Sequence, residues 1–213
     1  MTASDGAGGA TSSPGDASSS PQPDPRMSHK PMLVIVSGRP GSGKTTLARR
    51  LSIALPCPLV SRDEINEGIH RTFNHDLAIV SKATVTAMAY DAFFAAIKQM
   101  LLAQVSVIAE AAFQDAKWHH GLAAIDADDI AAMKVVQCVI DPAPARHRVL
   151  NRRSSQDTPS SRRAAQARIH EQDWTDEEFH AISLPTPTLA VATTEGYEPS
   201  LERVIAFIRS SDD

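Results

Sequence analysis

From residue 31 onward the chain alternates short apolar runs with segments whose apolar residues recur every three or four positions. Met32-Leu33-Val34-Ile35-Val36, ending at Ser37, reads as a strand buried on both faces. Further strands are predicted at 59–61, 105–109, 134–140 and 189–193, and the third runs directly into Glu110. Helix-period stretches fill the gaps: about 44–55 (stopping at Pro56), 64–72, 115–133, 141–153, 162–170 and 200–209. Residues 76–104 read as one long helix, with room for a single break. Asp76 is placed at its start, and Ala78, Ile79, Ala83, Ala87, Tyr90, Phe94, Ile97 and Leu101 form its buried face. Five buried strands alternating with helices predict an α/β fold, an open parallel sheet covered on both faces. In such sheets ligands bind beyond the carboxyl ends of the strands.

Residues 1–30 break this pattern. They are rich in Gly, Ser, Ala, Pro and Asp and carry almost no large apolar side chains, so they are expected to form a disordered tail before a single domain spanning 31–213. Met27 then stands as a candidate start of translation. The tail has neither the basic start nor the apolar stretch of a signal peptide, and no run approaching about 18 apolar residues is expected to span a bilayer. The net charge is −4 and the pI about 6.0, without the strongly basic footprint of a nucleic-acid binder. Cys57 and Cys138 make no metal-ligand spacing and no disulfide framework. Cys138, inside an apolar run, reads as a small buried hydrophobe. A reduced, cytoplasmic setting is the default expectation.

The chemistry begins where the first strand ends. Gly38 to Thr45 read G-R-P-G-S-G-K-T, the full G-x-x-x-x-G-K-[ST] phosphate-binding loop, between a strand and a helix. Glycines at 38, 41 and 43 allow backbone conformations closed to residues with a Cβ, so N–H groups can turn inward around phosphate oxygens. Gly38, Arg39, Pro40, Gly41, Ser42, Gly43, Lys44, Thr45 and Thr46 are the predicted nucleotide-binding set. Lys44 is expected at the β/γ-phosphates of ATP, and the Thr45 hydroxyl on Mg²⁺. A glycine turn that merely precedes a helix is the bland alternative, and eight matching positions in a strand–loop–helix context outweigh it.

The strand-end rule selects further residues. Asp63, just past the second strand, is placed to take a proton from an attacking hydroxyl, against the alternative of a cap for a helix starting at Glu64. Glu110 is a candidate Mg²⁺ or substrate carboxylate, against a solvated strand end. Arg62 and Asn66 flank Asp63 as candidate acceptor contacts. Arg146, Arg148, Arg152, Arg153, Arg162, Arg163 and Arg168 crowd one stretch, read as a lid at about 150–170 that closes over the nucleotide rather than as a solvated helix face. Arg148 and Arg152, four apart, share a helix face and are the preferred pair. The acceptor pocket is expected between Glu64 and Tyr90 and after Glu110, where Asn66, His70, Arg71, His75, Lys82, Phe113, Gln114 and Lys117 form a mixture that fits many polar molecules. Thr193, Thr194, Gly196 and Tyr197 are placed at the nucleotide base by position alone. His119 and His120 are adjacent, point in different directions on a helix and make no chelating pair. Trp118 and Trp174 read as packing residues.

Together, G-R-P-G-S-G-K-T, S-R-D-E after the second strand, V-I-A-E-A-A-F and A-R-H-R-V-L-N-R-R resemble the small P-loop kinase family over about residues 32–209. That family includes phage polynucleotide kinases, chloramphenicol phosphotransferase and zeta toxins. The resemblance implies a P-loop NTPase three-layer sandwich with a five-stranded parallel sheet and a helical lid. It implies an ATP- and Mg²⁺-dependent kinase acting on a hydroxyl of a small molecule, with Asp63 as general base and Arg148 and Arg152 as lid arginines. Glu110 matches a position that is usually Asp in the polynucleotide kinases. Those enzymes carry an arginine three residues after the base, where this chain has Asn66, which argues against a nucleic-acid acceptor. A polynucleotide 5′-hydroxyl kinase and a non-catalytic, toxin-related nucleotide-binding module are the alternatives. With no N-K-x-D and no L-S-G-G-Q motif, GTPase and transport-ATPase readings are poor.

Overall fold

Alternate side chains of the first strand enter two different cores. Leu33 and Ile35 pack with Phe93, Phe94, Ile97, Leu101, Trp118 and Leu122 on one side. Val34 and Val36 pack with Leu47, Ala48, Leu51, Val204 and Ile208 on the other. A strand buried on both faces must lie in the middle of a sandwich, and the period-two alternation of an extended chain produces this sorting.

The computed structural model describes residues 30–73, 80–112, 115–156 and 181–210, with backbone only for 152–156. The elements are β1 (Met32–Ser37), α1 (Lys44–Ala54), β2 (Leu59–Ser61), α2 (Arg62–Thr72), α3 (Lys82–Leu102), β3 (Val107–Glu110), α4 (Asp115–Ala124), α5 (Ala127–Ile130), β4 (Ala132–Val139), α6 (Pro142–Gln156), β5 (Thr188–Ala192) and α7 (Leu201–Arg209). The sheet order is β2-β3-β1-β4-β5, and every pairing is parallel. Helices α1 and α7 cover one face, α3 and α4 the other. The chain leaves β1 toward one edge through β2 and β3, then crosses to the other through β4 and β5. The loop after β1 therefore sits at the topological switch point, where open α/β sheets bind ligands.

Buried Lys134 on β4 fixes the closing helix. Its ammonium donates to the Phe207 carbonyl at 2.9 Å, to Ser210 Oγ at 2.8 Å and to the Ser210 carbonyl. A cation is favourable among the unpaired carbonyls of a helix C-terminus.

Several predicted boundaries move. The long helix starts at Lys82, because Ser81 Oγ accepts the Thr84 N–H at 3.1 Å and supplies the N-cap. Its buried face is Val85, Ala89, Phe93, Phe94, Ile97 and Leu101, while Ala83 and Ala87 are exposed. The face read from sequence is rotated because it was phased from residues before the true start. By length and composition α3 could cross a membrane, contrary to expectation, but Phe93, Phe94, Ile97 and Leu101 pack into the core on one face of the sheet, while Met88 and Leu102 are exposed. The helix expected over 115–133 divides where Asp126 turns left-handed (φ 55°), and Ala132 and Met133 join β4. Helix α2 begins two residues early, at Arg62, so Ser61 rather than Asp63 occupies the N-cap position. Helix α6 runs three residues beyond its predicted end, into the expected polar loop. The tail before Lys30, His75, Asp76, Ala78, Ile79, Phe113, Gln114, the helix expected over 162–170, Trp174 and the arginines at 162, 163 and 168 lie outside the described residues.

Gly121 is where α4 meets α3. A Cβ there would lie 2.1 Å from Phe94 Cζ. Gly121→Ala is expected to destabilise the fold by about 1–3 kcal/mol through overpacking. Urea unfolding measures it, and an unchanged midpoint would show that the ring moves aside freely.

Candidate functional site

The loop between β1 and α1 is shaped by its glycines. Gly41 has φ +83° and lies so close to α6 that a Cβ would sit 2.2 Å from the Ala145 carbonyl oxygen. Gly43 is the N-cap of α1 with φ +80°, and a Cβ there would meet nothing nearer than 3.9 Å. Helix α1 has no side-chain cap hydrogen bond and no acidic residue in its first turn. An uncapped helix N-terminus beginning with a lysine is chemically suited to an anion, and a polyphosphate fits these residues.

Lys44, 6% exposed, turns toward the sheet, where its Nζ lies 3.8 Å from Glu110 Oε1. Glu110, at the end of β3, is fully buried. Ser61 Oγ, at the end of β2, donates to Glu110 Oε2 at 2.8 Å, and Thr45 Oγ1 donates to Oε1 at 3.3 Å. The ends of β2 and β3 and the first turn of α1 thus meet at one carboxylate. The β1–β3 register, Val36 opposite Glu110, and the β2–β3 register, Ser61 opposite Glu110, put it there.

Burial pushes the Glu110 carboxyl above its ordinary 4.5, opposed first by the Lys44 ammonium and then by the Ser61 hydrogen bond; the Asp63 charge adds to the rise. Because the folded value lies above the unfolded one, the group favours the fold fully below about 4.5, and that contribution is lost as pH rises through the folded pKa. An incoming divalent cation would reverse the penalty on the charged form. Thr45 Oγ1 and the Glu110 carboxylate are hard oxygen donors side by side, a set that suits Mg²⁺.

Asp63 lies in the first turn of α2, exposed, with Oδ1 3.2 Å from Arg62 Nη1. Asn66 is half-buried one turn later. Arg62 is largely buried, and its Nε has no hydrogen-bond partner among the described residues. It also lines an open cleft of about 840 Å³ between α2, α3 and α4, with Lys82, Ala83, Thr86, Ala87, Tyr90, Asp91, Ala116, Lys117 and His120.

Arg148 does not stand free on a lid. Its Nη2 donates to the Thr193 and Thr194 carbonyls, both at 2.7 Å, and Thr193 Oγ1 donates to the Ser42 carbonyl at 2.6 Å. The arginine therefore ties α6 to the turn after β5, and that turn is tied to the phosphate loop. The Arg152 side chain lies outside the described residues. Arg39 and Pro40 are half-buried on the loop, and Thr46 is exposed on α1. Sequence reasoning missed Ser61 and the Arg148 tether, which join residues 49, 45 and 46 positions apart. It also missed Asp91 and His120 in the cleft. Trp118 is a packing residue, fully buried, with its indole N–H donating to Ser37 Oγ at 3.3 Å. Cys138, behind the loop, has its thiol pushed up to about 12 by burial, so it remains protonated and unreactive near neutral pH.

Residues 33–172 match the AAA_33 family profile, described as an AAA domain. The fold is that of P-loop kinases. A Chloroflexus aurantiacus protein assigned only provisionally as a kinase superposes with a TM-score of 0.68 at 22% identity, over 85% of this chain and 96% of that one. The APS kinase of Mycobacterium tuberculosis, solved with AMPPNP and APS, superposes at 0.58 and 18% identity, over 85% and 99%. A gluconokinase from Sinorhizobium meliloti gives 0.51 and 16%, over 84% and 93%. A comparison with curated proteins finds no match.

Carbon-detected NMR titration should place the Glu110 carboxyl above 4.5, and higher still in Lys44→Met, which removes the ammonium that most favours the charged form. A value at or below 4.5 in the wild type would mean that the site is wetter than its burial implies.

Proposed function

The chain belongs to the AAA_33 family, and from that premise we propose that it is an ATP-dependent phosphotransferase that moves the γ-phosphate to a hydroxyl of a small molecule. The observation that carries the reading is the convergence on Glu110: the loop lysine and threonine on one side, and Ser61 with the α2 turn bearing Asp63 on the other. Nucleotide handling and a candidate base thereby meet at one sheet edge.

Each residue then has a task. The loop amides and the α1 N-terminus hold the phosphates. Lys44 swings its charge between Glu110 and the β/γ-phosphate oxygens, stabilising negative charge as the bond to the leaving oxygen lengthens. Thr45 and Glu110 would hold Mg²⁺, which when bound neutralises phosphate charge. Asp63 accepts the acceptor's hydroxyl proton as its oxygen attacks the γ-phosphorus. Arg148 keeps the Thr193–Thr194 turn in place beside the loop, where the nucleotide base is expected, and Arg152 follows it one helical turn further along α6. Arg62 and Asn66, on one face of α2, orient the acceptor.

Net charge and Asn66 favour a small molecule over a nucleic acid. A cytoplasmic setting fits the two unpaired cysteines.

Two substitutions separate binding from transfer. Lys44→Ala should abolish phosphoryl transfer from labelled ATP. Asp63→Asn should bind AMPPNP as the wild type does by calorimetry, while transfer falls by roughly 10²–10⁴. Wild-type transfer rates in Asp63→Asn would remove the proposed base.

A further inference from the structure

The cleft beside Asp63 has mostly apolar walls, with three cationic side chains among its lining residues. The chain carries net negative charge. Yet the described lining residues include Arg62, Lys82 and Lys117 and a single carboxylate, Asp91, with the His120 imidazole stacked on the Tyr90 ring at a centroid distance of 6.3 Å. Among the described residues neither lysine is held in an ion pair. Arg62 is engaged at Nη1 by Asp63, but its Nε is buried and unpartnered, so it keeps an unsatisfied donor.

Lys82 adds a second line of support. It is the first residue of α3, a 21-residue helix with no acidic residue in its first turn. A lysine at that end lies against the positive pole of the helix, which favours carboxylates there instead. The arrangement is unfavourable by itself, and an anion in the cleft would offset it. Ala83, Ala87 and Ala116 keep the walls short, and the Tyr90 ring supplies an apolar side whose hydroxyl donates to the Lys117 carbonyl at 3.1 Å. A cleft of about 840 Å³ is the size of a small-molecule site.

From this juxtaposition we infer that the phosphoryl acceptor is itself an anion: a small hydroxylated molecule bearing a carboxylate, phosphate or sulfate group held by Lys82, Lys117 and Arg62. The inference rests on the kinase reading above and deepens it. Arg62 touches both the cleft and Asp63, so an anionic group anchored on its guanidinium side brings the rest of the molecule toward the base. The reacting hydroxyl loses its proton to Asp63 and gains the γ-phosphoryl group, and ADP leaves with the bridging oxygen. The anchored anion takes no part in bond making, and its role is to position.

The test fills the phosphate loop with AMPPNP and magnesium, then titrates inorganic phosphate while amide shifts are followed by ¹H–¹⁵N NMR. Saturable shifts are expected along the first turns of α3 and in α4 from Ala116 to His120. The Lys82→Gln/Lys117→Gln double variant should weaken phosphate binding by about tenfold or more, and the Lys82→Arg/Lys117→Arg variant should largely retain it. Circular dichroism of both variants checks folding. Absence of saturable binding, equal binding in the Gln variant, or transfer to a neutral polyol at a rate the Gln variant leaves unchanged would each overturn the inference. Failure of AMPPNP to bind would sink the kinase reading and with it the acceptor role, whereas loss of the Lys82 and Lys117 dependence with AMPPNP bound would sink the anion site alone.

Discussion

The buried contact between Lys44 and Glu110 holds the functional edge of this sheet together. Neither group can be taken out of water alone without a large penalty. The ammonium is 3.8 Å from the carboxylate, and two hydroxyls complete the carboxylate's partners. The four groups come from the phosphate loop, the start of α1 and the ends of β2 and β3. A charge pair in this position locks the loop to the sheet, yet it is loose enough for a third charge to enter. On the proposed reading, polyphosphate would compete with Glu110 for Lys44, and a cation would compete with Lys44 for Glu110. Lys44 and Glu110 thus set opposite charges where ATP and its metal would replace both on the proposed reading.

The remaining architecture keeps this edge in register. The two cores clamp β1 from both faces, so the loop leaves a strand that cannot shift. On one side Ser61 carries the constraint into α2, and thus to Arg62 and Asp63. On the other, Thr193 ties the turn after β5 to Ser42, and Arg148 ties that turn to α6. Lys134 pins α7 beneath the sheet. Long-range side-chain bonds of this kind make the site one mechanical unit rather than a set of independent loops.

Much of this was legible in the sequence, and the reasons differ by element. Continuous apolar runs mark β1 and β4 because both faces are covered, and the loop motif names its residues outright. Glu110 could be placed at the site because an apolar strand feeds straight into it. The starts of α2 and α3 were not legible: strand and helix abut at Ser61–Arg62 with no turn residue between, and the Ser81 cap lies inside a stretch that keeps a helical rhythm. Nothing in local pattern reveals that Asp126 takes a left-handed conformation between α4 and α5. The tether from Arg148 to Thr193 and Thr194 was equally hidden, since a helical arginine far from its partner looks like any surface charge. The cationic cleft was visible only in part. Lys82 and Lys117 could be assigned to the acceptor region, but the concentration of positive charge against Asp91 emerges from the packing of α2, α3 and α4.

The central claim is that Asp63 faces the terminal phosphate of a nucleotide held by Lys44. A crystal structure of the protein with AMPPNP and magnesium tests it most directly. The account predicts Lys44 drawn off Glu110 onto the phosphates, with the Asp63 carboxylate within about 6 Å of the γ-phosphorus, one attacking hydroxyl away. A γ-phosphate that leaves the Lys44–Glu110 contact intact, or an Asp63 turned away from it across the rim of the sheet, would contradict it.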